Sequence, residues 1–217
     1  MAEFRWFGHN CFRIKAREAT ILTDPVGKNT GFSMSRQTAD IVTISHDHPG
    51  HTNLNVVKPE FKEIRGPGEY EMNDVFVTGI RTYHDSESGA TLGYNTVYLI
   101  EVEGMVVCHL GDLGHPLQAD QIEEMSRCDI LLIPVGGGPL ISADQAAEIV
   151  SLFEPRVIIP MQFATSTGDL DRMSLEPFVK ALGVAAPDPI EKFSVRSSEL
   201  TDTLRLVVLQ PESEAGR

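Results

Sequence analysis

Three histidines within six residues give this sequence its clearest chemical potential. They are His46, His48 and His51, and they follow the apolar and β-branched run from residue 41 to residue 44. That run predicts a buried strand, so the histidines lie in the loop at its end, where ligand sites tend to occur. Imidazoles two residues apart, with a third returned by a Pro-Gly bend, can converge on one cation. Because the chain has only seven histidines, this density favours a metal site over three solvated loop side chains.

Two more strand-like segments end in groups that bind metals. A β-rich stretch from residue 74 to residue 83 ends at His84, and an apolar run from residue 105 to residue 110 leads through Gly111 to Asp112. Imidazole and carboxylate are both ligands of zinc and related metals. His84 and Asp112 are therefore potential ligands in loops at the ends of strands.

The elements that must position these groups change character along the chain. The first half alternates short β-prone runs with turn residues, and Glu103-Gly104 predicts a hairpin between two strands. The second half alternates helix and strand: Ile122, Met125 and Cys128 recur at helical spacing, Ser142 opens a capping box, and a further helix ends at Gly183. Buried strands around residues 129–135 and 156–161 and a last strand at 203–209 complete the pattern. This order predicts two sheets with helices packed outside, in one domain over residues 1–210, followed by a polar tail over residues 211–217.

Composition limits the classes of function. The formal charge of −13 disfavours a nucleic-acid groove, which needs a basic stripe, although it does not exclude a local basic patch. No apolar run has the length of a membrane span, and the first residues lack the pattern of a signal peptide. Three cysteines without a CxxC spacing predict neither a disulfide framework nor a thiolate metal site. We expect a soluble, cytoplasmic protein that acts on a small molecule.

The motifs together resemble the metallo-β-lactamase-fold hydrolase superfamily. The resemblance rests on the run from His46 to His51, on His84, on Gly111-Asp112 and on the residues from 159 to 163, and it covers nearly the whole chain. The stretches 6–9, 23–25, 66–71 and 109–115 are similar to a small branch of metal-dependent hydrolases that includes ascorbate-phosphate lactonase-like proteins. The resemblance implies an α+β protein, a four-layer αββα sandwich, with metals in a cleft at the sheet edges.

The resemblance also implies a set of ligands. His46, His48 and His84 would bind the first metal, and Asp112 would bridge to a second. The superfamily pattern His-x-His-x-Asp-His has an aspartate where this chain has Gly50, and it has a later histidine where this chain has Gln162. Of the second site's own ligands only His51 remains, so we expect a degenerate second site and about one metal per chain.

Other residues could border the emptied second site. His9 and His115 lie beside glycines in strand-end loops, and either could approach the site from its rim. The alternative is that His9 lines a substrate pocket and that His115 begins a helix or supports Asp112. Asp24 could brace the histidine loop or form only an Asx turn, and Asn95 could position substrate.

Three imidazoles around a cation with an open position would support hydrolysis. Such a site lowers the pKa of bound water from ~15.7 to ~7, and zinc, iron and manganese all accept this ligand set, with zinc preferred. Asp112 would be a fourth ligand or the general base. The leading function is hydrolysis of an ester, lactone or phosphoester of a small molecule. The alternative is a non-catalytic protein that binds a metal or metabolite, and a nuclease ranks third. The sequence leaves open whether the protein is a homo-oligomer.

Overall fold

The computed structural model describes residues 1–212 and contains two β-sheets with three α-helices. In chain order the elements are β1 (Ala2–Trp6), β2 (Phe12–Lys15), β3 (Thr20–Thr23), β4 (Ile41–Ile44), β5 (Lys62–Arg65), β6 (Gly68–Met72), β7 (Val75–Tyr83), β8 (Tyr94–Val102), β9 (Met105–His109), α1 (Ala119–Met125), β10 (Ile130–Pro134), α2 (Ala143–Phe153), β11 (Val157–Met161), α3 (Glu176–Leu182), β12 (Phe193–Val195) and β13 (Arg205–Leu206).

Strands β1 to β5 with β12 build the first sheet, and strands β6 to β11 with β13 build the second. The first sheet has the order β12-β1-β2-β3-β4-β5, and the second has the order β13-β11-β10-β9-β8-β7-β6. The predicted hairpin joins β8 and β9, where Glu103 and Gly104 have positive φ angles of 53° and 69°. In the second sheet β9, β10 and β11 are parallel, as expected for strands that are linked through helices.

The sheets pack face to face around one apolar core. Trp6 and Ile41 of the first sheet and Tyr98 and Ile100 of the second are fully buried in this core. Because the first sheet covers one face of the second sheet, the helices between the parallel strands occupy its other face. The predicted α+β architecture of two packed sheets with helices outside is confirmed.

The outer layer over the first sheet contains little regular helix. Leu22, Val42 and Ile44 point away from the second sheet and pack against Val26 and Phe32 of a long loop. Within the described residues this layer is formed by loops and by two short 3₁₀-helices, Lys28–Thr30 and Leu54–Val56.

The C-terminal part differs in detail from the prediction. Strand β13 covers only two residues of the predicted 203–209 strand, and α1 ends at Met125, before Cys128. Two residues of the predicted tail pack on the fold: Pro211 is buried, and the backbone N–H of Glu212 donates to the Trp6 carbonyl at 2.8 Å. The rest of that tail, residues 213–217, lies outside the described residues. The three cysteines are buried and free.

Tyr98 fixes the histidine loop against the second sheet. Its hydroxyl donates to the Ile44 carbonyl at 2.8 Å and accepts from the Gly66 backbone N–H at 3.0 Å. Beside it, the Thr96 backbone N–H donates to the Ser45 carbonyl at 2.8 Å. These hydrogen bonds connect the ends of β4 and β8, so the loop that follows β4 faces the loops that follow β7 and β9.

Candidate metal centre

The residues that the sequence predicts as metal ligands converge at this edge of the two sheets. The ring centroid of His46 lies 4.3 Å from that of His51, 4.9 Å from that of His84 and 5.8 Å from that of His48. Three overlapping groups have ligand atoms that all lie within 4.8 Å of one another: His46, His48 and His51; His9, His51 and Asp112; and His46, His84 and Asp112. The loops after four different strands, β1, β4, β7 and β9, therefore supply one cluster.

Asp112 is the centre of this cluster. Its Oδ2 lies 2.9 Å from His84 Nε2, 3.4 Å from His51 Nε2 and 3.8 Å from His46 Nε2. Its Oδ1 instead accepts hydrogen bonds from the side-chain amides of Asn10, at 2.6 Å, and of Gln162. One carboxylate oxygen thus faces the imidazoles, while the other is held in place by amides.

The donor set fits a divalent transition metal. His46 Nε2 and His84 Nε2 are buried and have no hydrogen-bond partner among the described residues, although both lie near the same carboxylate oxygen. A buried polar atom without a partner is costly, and its desolvation penalty is removed if it binds a cation. Imidazole nitrogen and carboxylate oxygen are the ligands that zinc and related metals accept.

A buried carboxylate braces the histidine loop. Asp24 Oδ1 accepts from the Ser45 backbone N–H at 2.7 Å, and Oδ2 accepts from the Ser45 hydroxyl at 2.6 Å and from His51 Nδ1 at 3.2 Å. A carboxylate on Nδ1 keeps the proton there and directs the lone pair of Nε2 towards a metal. Of the two alternatives that the sequence left open for Asp24, the structure supports the brace.

The charges in the cluster divide the protons unevenly in the metal-free protein. Burial opposes a charge on His51, but the carboxylates of Asp112 and Asp24 outweigh it and raise the pKa of His51 to about 10. Burial, together with the charge on His51, lowers the pKa of His46 to about 4. At neutral pH His46 is therefore uncharged and offers a lone pair.

Asp112 is better suited to bind a cation than to accept a proton. Burial alone would raise the pKa of its carboxyl, but His51, His84 and His46 hold that pKa well below its usual range. A carboxylate with so low a pKa is a weak base. Of the two roles considered from sequence, ligand and general base, this environment favours the ligand.

The residues predicted at the rim differ in position. His9 reaches the cluster, with its Nε2 3.2 Å from His51 Nε2, and Gln162 reaches it through Asp112. His115 belongs to none of the three ligand groups, and its Nδ1–H donates to the Pro116 carbonyl at 2.7 Å. His109, the last residue of β9, is buried with its Nε2 3.0 Å from the Asn10 carbonyl.

Sequence reasoning missed two polar contributors. Asn10 contacts both Asp112 and Gln162, and Asp169 lies 2.8 Å from His9 Nδ1. Asn95 is buried, and its Oδ1 accepts from the Asp112 backbone N–H at 2.9 Å, so it supports the loop that carries Asp112. The only signal in the sequence was the position of Asn10 next to His9 in a turn.

Comparisons with known proteins agree with this geometry. Residues 3–162 match the family model described as the beta-lactamase superfamily domain. A crystal structure from Thermotoga maritima, provisionally assigned as a Zn-dependent hydrolase of the metallo-β-lactamase superfamily, is 33% identical, with a TM-score of 0.79 over 97% of this chain and 100% of that one. A UPF0173 metal-dependent hydrolase of Thermoplasma acidophilum is 32% identical over 82% of this chain and 88% of its own. A UPF0173 protein of Pyrococcus furiosus is 29% identical over 88% of this chain and 98% of its own. The chain therefore belongs to the β-lactamase superfamily and has the metallo-β-lactamase fold.

Proposed function

We propose that this protein is a metal-dependent hydrolase that cleaves an ester, lactone or phosphoester of a small molecule. The observation that carries the proposal is the pair of buried, unpartnered nitrogens, His46 Nε2 and His84 Nε2, beside Asp112 Oδ2. The metal-dependent hydrolases among its relatives support the same reaction class.

His46, His48, His84 and Asp112 would hold the metal. Zinc is the first candidate because the set consists of imidazoles and one carboxylate, and iron or manganese would also fit. A metal held there would supply a Lewis acid and a hydroxide nucleophile at neutral pH, because coordination lowers the pKa of water to ~7.

The protein's own groups orient this centre. Asn10 and Gln162 hold Asp112 Oδ1, so that Oδ2 stays directed towards the imidazoles. His48 is exposed, whereas Asp112 and His51 are buried, so the cluster opens to solvent on the side of His48. Substrate would enter from that side, and the buried braces would remain fixed while it binds.

A cleft beside His46 favours substrates that carry a negative charge. It has a volume of about 440 Å³ and is lined by Arg81, Tyr94 and Arg65, whose guanidinium lies 3.7 Å from the carboxylate of Asp47 in the same lining. The guanidinium of Arg81 lies 4.8 Å from the centre of the Tyr94 ring and has no ion-pair partner among residues 1–212. Because a guanidinium recognises carboxylate and phosphate, we favour phosphoesters and carboxylated lactones over neutral esters. We further propose that the protein acts in the cytoplasm and that its substrates are small molecules, not nucleic acid.

The test combines metal content with a substrate panel. The wild-type chain, purified without a histidine tag, is expected to contain at least about one transition metal and to hydrolyse a member of a panel of esters, lactones and phosphoesters. His84→Ala should lose activity by about 10³-fold or more, since the metal loses one of its imidazole ligands. Asn55→Ala, an exposed residue nearby, is the control. Activity that is the same in both variants would refute the proposal.

The alternative remains a binding protein without turnover. It is favoured by one contact: Gln162 presents an amide N–H to Asp112, where the family pattern has a histidine. If Gly50→Asp combined with Gln162→His creates hydrolysis that the wild type lacks, the alternative is correct. If the wild type turns over a substrate, the alternative fails.

A further inference from the structure

Gly50 is not required by the backbone of the histidine loop. Its φ angle lies outside the left-handed region that favours glycine, so an aspartate could adopt the same conformation. The space beside Gly50, however, leaves little room for a side chain. A Cβ at Gly50 would lie 3.2 Å from His48 Nδ1 and 3.3 Å from His9 Nε2. An aspartate carboxylate would extend beyond that Cβ, into the region that the His9 ring now occupies.

His9 is held there by its own buried carboxylate. His9 lies in the turn between β1 and β2, and its Nδ1 donates to Asp169 Oδ1 at 2.8 Å. Both residues are buried, at 5% exposure each. A proton fixed on Nδ1 leaves Nε2 with a free lone pair, and that nitrogen faces His51 Nε2 at 3.2 Å.

His51 has the same arrangement from the other side. Its Nδ1 donates to Asp24, so its Nε2 also points into the gap, 3.4 Å from Asp112 Oδ2. Two imidazole nitrogens and a carboxylate oxygen this close together need positive charge between them: the proton on His51 supplies it in the metal-free protein, and a bound cation would take its place. Two carboxylate–histidine pairs directed at one point are typical of a metal centre.

We propose that His9 replaces the aspartate missing at Gly50 and completes a second metal site with His51 and Asp112. Their ligand atoms lie within 4.8 Å of one another. Gln162 Oε1 is buried, has no hydrogen-bond partner among the described residues and belongs to a side chain that contacts Asp112, so it is a further oxygen donor beside this site. The protein would then bind two transition metals per chain, not the one that its sequence suggests. The inference rests on the proposed metal-dependent function.

The exchange of ligands can be tested by reciprocal substitution. Metal-free protein is reconstituted with Zn²⁺ alone, excess metal is removed by gel filtration, and zinc per chain is measured by elemental mass spectrometry. We expect about two equivalents in the wild type, about one in His9→Ala, and about two again in the double variant His9→Ala/Gly50→Asp. The double variant regains the ligand because the aspartate enters the space that the imidazole has left. His115→Ala, which removes a buried histidine outside the cluster, should keep about two equivalents.

Asp169→Asn provides a second measurement in case His9→Ala does not fold. It leaves the His9 ring in place but removes the carboxylate that fixes its proton, so the second zinc should bind 10- to 100-fold more weakly while the first is unaffected.

The outcomes separate this inference from the proposed function. About one equivalent in both wild type and His9→Ala overturns the inference and leaves the function intact. About two in His9→Ala, or about one in the double variant, also overturns it. A wild type that takes up no zinc refutes the function and the inference together.

Discussion

Replacing Asp24 with asparagine tests whether a buried carboxylate controls the proton on His51. Asparagine has nearly the same shape, and its oxygen can still accept from the Ser45 backbone N–H, which lies 2.7 Å from Asp24 Oδ1. Its NH₂ group then faces His51 Nδ1, where Asp24 Oδ2 is the acceptor at 3.2 Å. An NH₂ group cannot accept a hydrogen bond from His51 Nδ1–H, so the neutral His51 ring must carry its proton on Nε2. A protonated Nε2 cannot bind a metal.

The size of the effect follows from these contacts. Loss of a carboxylate behind a ligating histidine weakens metal binding by about 10- to 100-fold, or roughly 1.4–2.7 kcal/mol. The opposite orientation of the amide returns an acceptor to His51, but it places the NH₂ group against the Ser45 N–H. Leaving that buried donor without an acceptor costs ~1–3 kcal/mol. One orientation of the asparagine therefore weakens metal binding, and the other costs a similar free energy through the unsatisfied Ser45 N–H.

Chelator competition measures this affinity directly. Metal-free protein is titrated with zinc in the presence of a chromophoric chelator, and urea unfolding of the metal-free form shows whether the variant is folded. Asp47→Asn is the matched control, because Asp47 lies in the same loop with its side chain 92% exposed. If Asp24→Asn binds zinc within about twofold of Asp47→Asn, Asp24 does not set the proton on His51 and the reasoning is wrong.

Three further outcomes are expected. The metal-free protein should be most stable near pH 6.5: His51, whose neighbouring carboxylates raise its pKa to about 10, contributes stability that is lost as the pH rises from 6.5 to 10. His46, whose burial lowers its pKa to about 4, makes the protein less stable as the pH falls from 6.5 to 4, and urea midpoints across this range check both limbs. Arg81→Gln should raise KM about tenfold for anionic substrates and leave KM for neutral esters unchanged; an equal change for both classes would remove Arg81 from substrate recognition. Tyr98→Phe should lower the unfolding free energy by ~1–3 kcal/mol, because the Ile44 carbonyl and a backbone N–H lose their buried partner, and a change in the urea midpoint corresponding to less than ~0.5 kcal/mol would contradict this.

Much of the fold could be predicted from the sequence because its signals are local. The Glu103-Gly104 turn and the capping box at Ser142 are each encoded within a few residues, and both are found in the structure. The strands at the sheet edges gave weaker signals. Strand β6 is partly exposed and carries alternating glutamates, and β12 has only three residues, so no apolar period marks them. Strand β13 has only two residues and is shorter than the predicted strand that contains it.

The residues of the candidate site also differ in whether a local sequence signal marks them. The cluster from His46 to His51 is local, and the strand pattern placed His84 and Asp112 in loops at strand ends, while the family resemblance predicted that they converge. Asp169 could not be found in this way, because it is 160 residues from His9 and only the tertiary fold brings the two together. Asn10 bonds to a carboxylate 102 residues away for the same reason. Contacts of this kind depend on topology rather than on spacing.

The absence of the family's aspartate at Gly50 therefore supports one conclusion from the sequence and another from the structure. Read along the chain, Gly50 marks a degenerate site. In the structure, the His9 ring occupies the space beside Gly50: its Nε2 would lie 3.3 Å from a Cβ at that position, and its Nδ1 has a carboxylate partner in Asp169. Burying the carboxylates of Asp24, Asp112 and Asp169 at this edge is costly unless positive charge lies among them. In the metal-free protein the proton on His51 supplies part of that charge, and a bound cation would supply it in its place. This charge balance favours a metal centre at the same point.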